Sequence, residues 1–161
     1  LVGRYVLLYQ PDPSSTIRSL LRSVKPGGIV VFHEFDLPGP DASYPPSPLY
    51  DQVGMLVSEV FRRGGALPCG RRLGKTFLHA GLPFPTIAAE IIIGGGAGSY
   101  VYPWLANTLI SLVPRLTQLG LSLPPGVAAD HTLAGRMEDE AVRLGSQMLA
   151  PAQFGAWTRK P

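Results

Sequence analysis

The 161 residues amount to one domain's worth of chain at roughly 150 residues per domain. With 45% hydrophobic and 16% charged residues, the composition excludes a disordered or solvating chain. The net charge of +3 is too weak a basic excess to imply nucleic acid as a partner.

Cys69 is the sole cysteine, so neither an intramolecular disulfide nor a cysteine-rich zinc site can form, as expected of a cytoplasmic, metal-free protein. No apolar stretch approaches the ~18 residues a membrane span requires, so no membrane is expected as a partner. The chain opens on Leu1 and runs almost at once into an apolar segment, an abrupt start that suggests truncation at the N-terminus.

Residues 4–9 (RYVLLY), bounded by Gly3 and by Gln10-Pro11-Asp12-Pro13, have the pattern of a central parallel strand buried on both faces. Asp12 is placed to cap a helix and Pro13 to occupy its first turn, after which Ile17, Leu20, Leu21 and Val24 form one apolar face. Lys25-Pro26-Gly27-Gly28 ends that helix, and residues 29–32 (IVVF) read as a second buried strand leading into His33, Glu34 and Asp36. Strand, helix and strand imply a right-handed βαβ crossover and two adjacent parallel strands.

Residues 37–48, with five prolines, read as a loop leaving the carboxyl edge of the sheet, where ligands bind in such folds. Helices are expected over residues 49–60 and 71–80, and a strand over 84–93 that exits through Gly94-Gly95-Gly96-Ala97-Gly98. The spacing of Gly94 and Gly96 does not complete a G-x-G-x-x-G, because position 99 is Ser99. Leucines at 105, 109, 112, 116 and 119 predict an amphipathic helix that Pro114 kinks or splits. Met137, Ala141, Leu144 and Met148 predict a last helix, and residues 153–158 a terminal strand.

Residues 3–34, GRYVLLYQPDPSSTIRSLLRSVKPGGIVVFHE, resemble the fourth strand, following helix and fifth strand of class I S-adenosylmethionine-dependent methyltransferases. The Pro-Asp-Pro helix start and the Val24-Lys25-Pro26-Gly27-Gly28 turn carry the likeness, and Gly81-Leu82-Pro83 stands where that family steps into its sixth strand. The resemblance implies an α/β fold, a single domain with a Rossmann-like, mostly parallel sheet and a helical cap, residues 99–149, inserted between the last two strands. It also implies that the glycine-rich cofactor loop and the acidic ribose-binding residue of the family would precede Leu1, so that binding of S-adenosyl-L-methionine by this chain alone is not expected.

On that reading Tyr9 and Gln10 stand beside the transferred methyl group. His33 and Glu34 form the other wall of the crevice, with a base for an acidic acceptor proton, and Asp36 follows toward the substrate. Tyr100, Tyr102 and Trp104, at the start of the cap, can wall an apolar acceptor. The expected activity is methylation of a small, apolar or aromatic molecule. The alternatives are a fragment of a nucleotide- or nicotinamide-dependent oxidoreductase and a non-catalytic α/β partner-binding module. A sheet edge exposed by truncation would pair copies of the chain into a homo-oligomer. Arg62, Arg63, Arg71, Arg72 and Lys75 concentrate positive charge, without the interleaved aromatics of a nucleic-acid surface.

Overall fold

A computed structural model describes residues 1–37, 39, 42–66 and 68–161. Pro38, Pro40 and Asp41 of the proline-rich segment therefore lie outside the described residues, as does Leu67. The chain divides into two compact units.

The first unit comprises Leu1–Leu37, Gly65–Ile91 and Pro151–Pro161. Its sheet consists of β1 (Val2–Arg4), β2 (Ile29–Asp36), β4 (Thr86–Glu90) and β7 (Ala152–Arg159), in the order β1-β2-β7-β4. β1 runs parallel to β2, with Val2 opposite Val31. β7 runs antiparallel to both β2 and β4. The sheet is thus mixed, and the mostly parallel sheet expected from the sequence is corrected: the last strand of the chain enters between β2 and β4 in the opposite direction.

Between β1 and β2 lies α1 (Pro13–Leu20). The Asp12 carboxylate accepts from the Ser15 amide at 3.0 Å, and Pro13 supplies a fixed φ where no amide is needed. Gly27, at φ +74°, turns the chain back toward β2 in a conformation that would strain a side chain. α3 (Leu73–His79) follows a 3₁₀ turn at Gly70–Arg72 and packs beside α1. β2 alternates: Val30, Phe32, Glu34 and Asp36 are buried, while Val31, His33 and Phe35 are half-buried on the other face. Phe32 meets Phe77 of α3 edge-on, centroids 6.1 Å apart, so the helices cover the face that buries the two acids.

The expected strand over residues 4–9 is corrected. Its extended part is Val2–Arg4, and Leu7–Tyr9 form a 3₁₀ turn that buries Leu7 and Leu8. The expected strand over residues 84–93 shortens to β4, whose five residues are all exposed.

The second unit comprises Pro38–Gly64 and Ile92–Ala150. α2 (Pro48–Arg63), α4 (Val101–Gln118) and α5 (Leu133–Leu144) pack on one another, beside a small sheet of β3 (Ser43–Tyr44), β5 (Ile93–Gly95) and β6 (Gln147–Leu149) in the order β3-β6-β5. Pro114 lies inside α4 without dividing it, because buried Leu105, Leu109 and Leu116 hold the helix on both sides of it. Met148 belongs to β6, opposite Ser43, rather than to the last helix. Gly145, at φ +66°, ends α5 before that position is reached.

Candidate functional site

The carboxyl ends of the parallel pair β1–β2 hold the residues singled out in the sequence, and the geometry there assigns most of their polar groups to other parts of the first unit. Glu34 is fully buried. Its Oε1 accepts from the amides of Val6 at 3.0 Å and Leu7 at 2.9 Å, and its Oε2 from Leu8 at 3.3 Å. Three successive N–H groups converging on a carboxylate form an anion nest, here filled by the protein's own side chain. Glu34 therefore braces the turn after β1, and its acceptor capacity is spent on backbone.

Asp36, 3% exposed, does the same for a second loop. Its Oδ1 accepts from the Gly70 amide at 2.8 Å, and its Oδ2 from the Arg71 amide at 3.1 Å and from Arg71 Nε at 2.9 Å. Glu34 and Asp36 share one strand face, so they anchor two neighbouring loops from a single row. A Cβ on Gly70 would come within 2.1 Å of the Phe154 ring, so only glycine places the backbone close enough to be held this way.

Cys69 is buried beside these acids, and burial, with the charges of Glu34 and Asp36 adding, pushes its thiol up to about 11. A thiol so protonated is a poor nucleophile at neutral pH.

His33 lies on the opposite, half-buried face of β2, so it does not stand beside Glu34's carboxylate. Its ring packs against Tyr5 at 5.3 Å. Tyr5 is the one non-glycine residue with positive φ among those described, at +54°. It meets Phe35 edge-on at 5.1 Å, donates its hydroxyl to Gln153 Oε1 at 2.6 Å and lies under the Arg4 guanidinium, 4.8 Å from the ring centroid. Strained backbone of this kind concentrates at functional sites. No signal for it is visible in the sequence, because tyrosine is not a residue one assigns to the left-handed region.

Tyr9 is 58% exposed at the end of the 3₁₀ turn. Gln10 follows, its Oε1 accepting from the Thr16 hydroxyl at 3.3 Å, which ties it to the start of α1. Tyr9 offers a ring, Gln10 a tethered amide, and the two acids nearby each already accept three hydrogen bonds. These residues do not compose a cradle for S-adenosylmethionine, which needs a carboxylate free for the ribose hydroxyls and amides free for the methionine carboxylate.

In the second unit Tyr100, Tyr102 and Trp104 do not form a common wall. Tyr100 is 66% exposed, Trp104 half-buried, and Tyr102 fully buried with a hydroxyl that has no hydrogen-bond partner among the described residues. Burial raises the Tyr102 phenol above its ordinary range, with Glu138 adding to the effect. The glycine-rich exit from β5 borders a cavity of about 530 Å³ lined also by Val142, Gly145 and Gln147. Glu138 Oε1 already accepts from the Gly98 amide there, at 2.7 Å. Glu140, on the same helix, accepts from the Leu49 amide and the Ser47 hydroxyl, satisfying the free amide end of α2.

Among the described residues, no cluster of three or more His, Cys, Asp or Glu is placed to hold a metal ion, and no helix is long and apolar enough to cross a membrane. No protein-family model matches the chain, and no curated protein sequence matches it either.

Proposed function

We propose that this chain is the C-terminal part of a class I S-adenosylmethionine-dependent methyltransferase that methylates a small, apolar or aromatic molecule. The reading is carried by the β1–α1–β2 unit. Asp12 caps α1, Pro13 opens it, Gly27 turns the chain toward β2, and β1 and β2 are parallel neighbours, which supports the reading. On this proposal a Rossmann-like sheet is completed, and the cofactor held, by residues preceding Leu1. Methyl transfer is an in-line displacement that needs alignment and exclusion of water more than a protein nucleophile, so spending Glu34 and Asp36 on backbone leaves the chemistry intact. Their part is to fix the loops that would bound the crevice.

The test is methyl transfer from labelled S-adenosylmethionine to a panel of small aromatic and aliphatic acceptors, by the 161-residue chain and by the chain extended through its upstream coding sequence. Transfer by the extended protein and none by the shorter one supports the proposal, and no transfer by either opposes it.

A second reading, a non-catalytic α/β module, draws support from the same two carboxylates, since a site-like row of acids is consumed in holding loops. It expects no cofactor binding by either form.

A further inference from the structure

Charge is distributed unevenly between the two units. The first carries nine lysines and arginines against four carboxylates, and the second five against seven. Two of the first unit's four acids, Glu34 and Asp36, are buried, so its outer surface is more basic than the sequence total suggests.

The excess concentrates on the helical layer. Residues 13–25 and 70–79, which hold α1, α3 and their flanking turns, contain no aspartate or glutamate. Arg18, Arg22, Lys25, Arg72 and Lys75 are exposed there. Arg18 donates to the His79 carbonyl and ties the two helices side by side, while among the described residues no carboxylate pairs with Arg22, Lys25, Arg72 or Lys75. The same helices expose two leucines, Leu20 at 40% and Leu78 at 50%.

We propose that the α1–α3 face of the first unit docks on the surface of an anionic lipid bilayer. Cations without a carboxylate partner, in the same helical segments as exposed leucines, match a headgroup layer, in which the charges meet lipid phosphates and carboxylates while the aliphatic side chains reach the acyl boundary. A nucleic acid would use the cations and leave the leucines in water, and Phe77, the one Phe, Tyr or Trp of these segments, is buried, so the face offers a base only the His79 ring. The docking is peripheral and adds to the absence of a membrane-crossing helix rather than opposing it.

The test is co-sedimentation of the 161-residue chain with phosphatidylcholine vesicles, with and without about 30% phosphatidylserine, at low and high salt. Each cation near such a surface is worth roughly a fivefold change in partitioning. Phosphatidylserine should therefore raise binding at least ~10-fold, and high salt should abolish the gain. R22E/K75E should lose that gain, and the charge-conserving R22K/K75R should keep it. L20S/L78S should weaken binding several-fold while leaving its salt dependence. Circular dichroism melts confirm that each variant is folded. Equal binding to neutral and anionic vesicles, undiminished binding by folded R22E/K75E, or binding of duplex DNA without binding of vesicles would each overturn the proposal.

Discussion

The carboxylate of Glu34 accepts the Leu7 amide at 2.9 Å across 27 residues of sequence, and the Val6 and Leu8 amides share the same carboxylate. One buried acid thereby closes the turn that ends β1. Replacing it with alanine leaves three backbone donors short of an acceptor in the protein interior, at ~1–3 kcal/mol for each that water does not reach. Glu34→Ala should lower unfolding free energy by about 3 kcal/mol or more, and Glu34→Gln by less, because an amide oxygen still accepts. Urea denaturation measures both. Loss of under about 1 kcal/mol in the alanine variant would mean the turn does not depend on this carboxylate.

Asp36 and Arg71 form an ion pair whose members differ in environment. The Asp36 side chain is 2% exposed and that of Arg71 72%. Asp36→Ala strands the Gly70 and Arg71 amides and should cost roughly 2–4 kcal/mol, whereas Arg71→Ala removes a solvated partner and should cost under about 1 kcal/mol. Equal losses in a denaturant series would contradict this asymmetry.

Gly70→Ala drives a methyl group to 2.1 Å from the Phe154 ring, at a backbone position pinned by Asp36. Because Asp36 holds the backbone there and the half-buried Phe154 ring would have to shift, the substitution should destabilise by about 2–3 kcal/mol. The double variant Gly70→Ala/Phe154→Leu should recover part of that loss, which a double-mutant cycle resolves.

Cys69 ties stability to alkaline pH. Its thiol titrates near 9.0 when the chain is unfolded and near 11 in the folded protein, because burial disfavours the thiolate. The contribution is fully present below pH 9 and is lost as pH rises through 11, because only the unfolded chain gives up its proton in that interval. The loss should be about 3 kcal/mol, and Cys69→Ala should flatten it. A thiol-directed reagent at pH 8 should modify the native chain far more slowly than the denatured one. Rapid labelling of the native protein would contradict the burial.

How far the sequence disclosed this fold can be judged at particular residues. α1 was legible because its signals are local: Asp12, Pro13 and the Ile17 face lie within a few residues of one another. Residues 5–9 were not. Their apolar run suits a strand or a turn equally, and the choice is made by a carboxylate 25 or more positions away. Met148 continued the helical spacing of Met137, Ala141 and Leu144, yet Gly145 adopts the left-handed conformation and passes it to β6. At the candidate site the sequence pointed to the end of β2, but residue type does not distinguish an acid offered to a substrate from one bonded to backbone. Tyr5 went unseen for a related reason, since its strained conformation is imposed by Gln153, His33 and Phe35 from elsewhere in the chain.

Calorimetric titration with S-adenosylhomocysteine tests the functional account most directly, applied to the 161-residue chain and to a longer protein carrying the upstream residues that the proposal requires. Saturable one-to-one binding by the longer protein, with no measurable heat from the shorter, is the predicted result. No binding by the longer protein would contradict the methyltransferase assignment and leave the α/β module standing.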